Sequence, residues 1–155
     1  KMSRAALAVL LLGLLCLAAA QVNVRGTVYA AVEARSGQSS DCDKFVSLFA
    51  PDGVYASPVG SPVAVGHDSI RTACEEWNKL LGPQGNGWYP GDLWNAPTET
   101  AFSLRIRAVA SGGCSVNLEG IVTMSLNSTS GLIEEWKHYY DADWNGPQFH
   151  SKCGA

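Results

Sequence analysis

The sequence predicts an α+β fold, with helices concentrated in its first half and strands in its last third. Three observations carry this. Phe45 to Leu81 reads as helix, strand, turn, helix; an amphipathic segment, Val22–Arg35, precedes it; and from Phe102 onward apolar and polar residues alternate with the period of a strand. Runs of helices followed by runs of strands suit a sheet with helices gathered on one side.

The elements follow in chain order. Lys1 and Arg4 precede the apolar run Ala5–Leu17, which is short for a bilayer, and Ala18-Ala19-Ala20 supply small residues before Gln21. This is the pattern of a secretory signal peptide over residues 1–20, with a membrane anchor or buried helix as the alternative. Residues 21–155 then form one domain with one core. In Val22–Arg35 the inward set is Val24, Val28, Tyr29, Ala31 and Val32, and Ser36–Ser40 is a loop. Asp41 is an N-cap for a short helix with Phe45, Leu48 and Phe49, which Pro51-Asp52-Gly53 ends by turn chemistry. Val54–Ala56 is a brief strand. Ser57–Pro62 turns the chain, since its two prolines lack donors, and Val63–Val65 re-enters the sheet. Gly66–Ser69 opens a helix with Ile70, Ala73, Cys74, Trp77, Leu80 and Leu81 on one face and Arg71, Glu75 and Lys79 on the other.

Gly82–Thr98 is rich in glycine and proline and is read as an irregular loop. Its rings, Trp88, Tyr89 and Trp94, suit either a lid over a pocket or ordinary core at the open end of the fold. In the next strand Phe102, Leu104, Ile106 and Ala108 face inward while Ser103, Arg105 and Arg107 face outward. After the Ser111-Gly112-Gly113 turn, Val116, Leu118, Val122, Met124 and Leu126 face inward. Asn117, Glu119, Thr123 and Ser125 face outward, so Glu119 can pair with an outer arginine across strands. Asn127-Ser128-Thr129 is a turn and an N-glycosylation sequon. The last strand, Leu132–Asp143, carries polar and apolar groups on both faces, and alternation alone does not orient it.

Three segments, LFAPDGVYASPVGSP, VGHDSIR and GLIEEWKHYYDADW, in this order and spacing, resemble the nuclear transport factor 2-like superfamily, which holds the ketosteroid isomerases and the SnoaL-like cyclases. The resemblance runs from about Tyr29 to Trp144. It implies a cystatin-like, cone-shaped α+β barrel: a curved, mostly antiparallel sheet wrapped around the N-terminal helices, enclosing an apolar pocket. It also implies that Ile133, Glu135, Lys137 and Tyr139 face the pocket, with Trp136, His138 and Tyr140 on an outer face suited to homodimerisation. In the ketosteroid isomerases the general base stands one residue before the Pro-Val-Gly-Ser turn, a position filled here by Ser57, which takes no proton near neutral pH without an activating base. The position of the second acid falls at Val122, which donates nothing, and that of the tyrosine at Tyr29. Ketosteroid isomerase chemistry is therefore not expected.

Without Lys1 and Arg4, nine of the eleven basic residues face fourteen acidic ones, a formal charge of −5, which disfavours nucleic acid as a partner. Cys42, Cys74, Cys114 and Cys153 remain after signal removal and admit three pairings. Cys114–Cys153 is favoured because the start of one strand should lie beside the end of the last, with Cys42–Cys74 following by exclusion; one disulfide with two buried thiols is the alternative. No zinc spacing or phosphate-cradling loop is present, so no metal and no cofactor are expected, nor any membrane association once the signal is removed. His67 is read as a surface or capping residue, Asp143 as a turn former beside Asp141, and His150 as solvated.

Two functional readings follow. The first is a secreted protein holding a small apolar or aromatic ligand among Tyr29, Phe49, Tyr55, Ser57, Trp77, Val122, Met124 and Tyr139. The second is a cofactor-free lyase, isomerase or cyclase in which Glu135, His138 or Asp141 transfers a proton. A homodimeric interaction module using the outer sheet face stands between them.

Overall fold

A computed structural model describes residues 22–110 and 113–140. The segment read as a signal peptide, two residues of the Ser111–Gly113 turn, and Asp141, Asp143, His150 and Cys153 lie outside the described residues. Helix α1 spans Val24–Arg35, α2 Cys42–Val46 and α3 Gly66–Leu80; strands are β1 Phe49–Ala56, β2 Ala64–Val65, β3 Leu81–Asn95, β4 Glu99–Ala110, β5 Ser115–Leu126 and β6 Ile133–Tyr140. Among the described residues no helix is long and apolar enough to cross a membrane.

The six strands form one mixed sheet in the order β2-β1-β6-β5-β4-β3. Only β1 and β6 run parallel; every other neighbouring pair is antiparallel. The helices gather on one face: α1 packs on β3, α3 on β1, and α2 lies against both helices. The core is the layer between, built from Val28, Phe45, Phe49, Ile70, Phe102, Leu104, Val122, Ile133 and Trp136, all buried. Phe45 sits at its centre, edge-on to Phe49, Tyr55 and Trp136 with ring centroids 5.1, 5.6 and 6.1 Å away.

Local chemistry accounts for the helix ends. The Asn23 side chain accepts from Gly26 N–H at 2.9 Å and starts α1, and Asp41 accepts from Lys44 N–H at 2.9 Å to start α2. Between them the Asn78 side chain accepts from Ser40 N–H at 2.7 Å and donates to Ser40 O at 2.9 Å, pinning the loop to α3. Cys42 and Cys74 are joined, so α2 is also tied covalently to α3. Cys114 is disulfide-bonded as well, and the partner expected for it, Cys153, lies outside the described residues.

Two sequence expectations are corrected here. The stretch Gly82–Thr98 is not an irregular loop, because β3 runs through it and pairs with β4 from Leu81 to Asn95. As an edge strand it tolerates Pro83 and Pro90, whose missing N–H groups break no inner ladder. Its irregularity appears instead as two register shifts, one of which contains Gly85 at φ 69°, a left-handed backbone suited to glycine. Likewise Pro51-Asp52-Gly53 does not stop the chain before a separate strand. It bulges within β1, so that Phe49 faces Ile133 and Val54 faces Glu135 across the parallel ladder.

The outer sheet face follows the alternation read from sequence in β4 and β5, and Arg105 Nε lies 2.6 Å from Glu119 Oε1 across the two strands. On α3, Arg71 pairs with Asp43 of α2, and Lys79 with Glu76.

Candidate functional site

The last strand sets the site. A register shift where β5 meets β6 lets Leu126 pair with Ile133 and Ser125 with Glu135, leaving Glu134 unpaired in the ladder. The extra residue reverses the alternation, so Ile133 and then Trp136 and His138 all face inward and are fully buried. This corrects the orientation that the resemblance implied. Glu135, Lys137 and Tyr139 lie on the outer face, where Lys137 Nζ and Glu135 Oε1 pair at 2.7 Å. Glu135 is therefore no acid or base of the interior, and Tyr139, 45% exposed, does not line it.

Around His138 four elements converge. The end of β1 brings Ser57, whose Oγ lies 3.3 Å from His138 Nδ1, and Val59 N–H donates to His138 O at 2.8 Å. From β6 itself, Tyr140 places its ring 4.6 Å from the imidazole, and Trp88 of β3 stands 6.3 Å away. The end of α1 contributes Arg35, 2% exposed, with Cζ 5.0 Å from the Phe45 ring centroid and 4.9 Å from that of Trp88. A guanidinium among rings is attracted by their faces, which offsets part of its desolvation.

The electrostatics of this interior are set by burial. His138 is lowered to about 4, first by desolvation and then by the Arg35 charge, so it is neutral at pH 7. Tyr140 is pushed up to about 12 by burial and by Tyr55, a hydrogen bond with Ser57 working the other way. Arg35 is lowered, chiefly by desolvation, with Tyr55 opposing. Arg35 Nε and Nη1, His138 Nε2, and the indole Nε1 atoms of Trp77, Trp88 and Trp136 are buried with no hydrogen-bond partner among the described residues. Buried polar groups are ordinarily paired, and each one left open costs about 1–3 kcal/mol. Among the described residues no cluster of three or more His, Cys, Asp or Glu could hold a metal.

The residues expected to line a pocket divide. Phe49, Tyr55, Val122 and Met124 are buried in the core, Ser57 and Trp77 are half-buried, and Tyr29 is 48% exposed. Tyr29 therefore stands outside the site and cannot supply the interior donor that the resemblance assigned it. The lid reading is corrected too, since the three rings form no common edge: Trp88 is 4% exposed and inward, while Tyr89 and Trp94 lie on the outer face of β3 at 54% and 57%. His67 begins α3 with Nε2 2.9 Å from Phe49 O. Of the three candidate catalytic residues, only His138 faces inward; Asp141 lies outside the described residues.

Sequence reading missed Arg35, and Tyr140 as a neighbour of the histidine, whereas core was one of its two readings for Trp88. Arg35 had a signal, because it lies four residues after Ala31 and seven after Val28 on the buried stripe of α1. The bulge that turns His138 inward had none, since Glu134 differs in type from no other outward residue.

No protein-family model matches this sequence, and no curated protein does either. Solved structures do. A Mycobacterium tuberculosis protein in complex with estradiol-17β-hemisuccinate aligns with TM-score 0.64 and 19% identity over 76% of this chain and 92% of that one. An M. tuberculosis epoxide hydrolase of the LEH-like kind aligns at 0.62 and 16%, over 76% and 81%. A ketosteroid isomerase-like protein from Catenulispora acidiphila, in complex with trimethylamine, aligns at 0.64 and 14%, over 74% and 85%. The six-stranded mixed sheet covered on one face by the N-terminal helices is thus the nuclear transport factor 2-like fold, shared with SnoaL-like and ketosteroid isomerase-like proteins.

Proposed function

We propose that this chain binds a small, largely aromatic molecule in the interior between helices and sheet, and that it does so without ketosteroid isomerase chemistry. The observation that carries the reading is a buried patch in which the Trp88 ring lies against both Arg35 and His138; Arg35 Nε and Nη1 and His138 Nε2 have no hydrogen-bond partner among the described residues. An apolar body stacks on rings, and a few polar atoms at its edge engage the donors. The similarity to proteins holding a steroid ester or a small amine supports a small-molecule partner. Ser57 and Val122 stand where the isomerases keep their acids; Val122 is fully buried and has no proton to give.

Acid–base catalysis by His138 is the second reading, favoured by its contact with Ser57. A histidine lowered to about 4 is a weak base and serves better as a hydrogen-bonding group. Export through residues 1–20 and glycosylation at Asn127 belong to the proposal; the Asn127 side chain accepts from Thr129 and Ser130 N–H, and its Nδ2, the atom a glycan would join, donates to Glu134 Oε1 at 2.9 Å. Self-association is a separate proposal for the outer face, where Tyr89, Trp94, Ile121 and Tyr139 are exposed.

Calorimetric titration of the full chain with 2-naphthol and with estradiol tests the ligand reading. Binding that weakens in Trp88→Phe and persists in Tyr139→Ala is the expected result. No binding by either probe, or binding lost only on changing Tyr139, would reject it.

A further inference from the structure

Arg35 poses a specific question. It is a guanidinium 2% exposed, and among the described residues its Nε and Nη1 have no hydrogen-bond partner and no ion pair includes it. Nearby, the Trp88 ring lies against both Arg35 and His138, so the two side chains share one wall of the interior. His138 Nδ1 is engaged by Ser57, while Nε2 has no partner among the described residues. The Ser57 hydroxyl can donate to Nδ1 or accept from it, so the contact is satisfied by either tautomer.

We infer that the interior is specific for an aromatic carboxylate, with Arg35 as the charged donor to the carboxylate and Trp88 as the surface on which the ring stacks. The inference rests on the ligand reading above and narrows it. A buried cation without a counter-charge is costly, and an anion of the ligand offsets it at low dielectric where water competes little. Neutral aromatic ligands satisfy the rings alone and leave the guanidinium open. Charge-assisted hydrogen bonds are worth about 1.5–3 kcal/mol, which corresponds to about tenfold or more in affinity. Arginine and lysine differ here, because a compact, strongly hydrated ammonium cannot spread its donors along the rings as a guanidinium does.

The test compares 2-naphthoate with 2-naphthol by calorimetry on the full chain at pH 7, in the natural sequence and in Arg35→Met and Arg35→Lys, with near-ultraviolet circular dichroism reporting the fold. The expected result is naphthoate binding at least about tenfold tighter than naphthol, a preference abolished in Arg35→Met and reduced in Arg35→Lys. Equal affinity for the two probes, or a preference that survives Arg35→Met, overturns the inference while leaving the ligand reading intact; failure of both probes removes that reading as well. Asp141→Asn and Asp143→Asn are the controls for a counter-charge within the chain. A carboxylate preference that emerges only in one of them assigns Arg35 to that residue and also overturns the inference.

Discussion

Acid should destabilise this protein through His138 in a way that one substitution removes. The imidazole is fully buried and lowered to about 4 from an ordinary 6.5, so the unfolded chain binds its proton across that interval and the folded chain does not. Stability from this residue is present above pH 6.5 and is lost as pH falls toward 4. A displacement of that size corresponds to about 3 kcal/mol between pH 7 and pH 4. Among the described residues, Arg35 and Tyr140 are the titratable groups facing the imidazole. Carboxylates elsewhere also titrate there, so the readout is a difference: urea unfolding of the natural sequence and of His138→Gln at pH 7, 6, 5 and 4. The natural sequence is expected to lose about 3 kcal/mol more than the variant over this range. Parallel curves would refute the burial of a neutral imidazole, and a variant that loses more would reverse its sign.

Other perturbations probe the fold. The Cys42–Cys74 bridge spans 32 residues of sequence, so Cys42→Ala with Cys74→Ala should lower unfolding free energy by about 3–4 kcal/mol in urea. Trp136→Ala opens the centre of the core and should cost about 3–5 kcal/mol, read as a lower urea midpoint with an unchanged slope. At Gly85 a Cβ would strike the Gly37 carbonyl in a left-handed backbone, so Gly85→Ala should destabilise by at least about 1–3 kcal/mol and speed hydrogen exchange of the Asn86 amide that bonds to Gly37. Glu119→Gln removes an exposed ion pair with Arg105 and should change stability by less than about 1 kcal/mol, measured the same way.

What the letters revealed depended on how local the determining physics was. Periodicity placed α1, the two faces of β4 and β5, and the buried Ile70 and Cys74 of α3, because each pattern reports a single face against one core. The Asp41 cap was equally legible, being set within four residues. Gly82–Thr98 misled because glycine and proline forbid an inner strand but not an edge strand, and position in the sheet is a property of the whole topology. The inward side of β6 was hidden for a related reason: the register shift at Glu134 exists only through pairing with β5, and one unpaired residue exchanges the faces of Trp136 and Glu135. Resemblance identified the architecture yet assigned Tyr29 and Tyr139 to an interior that neither enters. Arg35 was readable on the stripe of α1, but a charge at a helix end is ordinarily solvated, and only packing against Phe45 and Trp88 shows otherwise.

The tryptophans allow the ligand site to be located directly. The indole nitrogens of Trp77, Trp88 and Trp136 are buried, whereas Trp94 is exposed on the outer face of the sheet. In a nitrogen-15 spectrum with indole signals assigned by tryptophan-to-phenylalanine variants, saturating 2-naphthoate should shift the three interior signals and leave Trp94 in place. A shift confined to Trp94, or three interior signals that do not move while naphthoate binds, would place the ligand elsewhere and contradict the account.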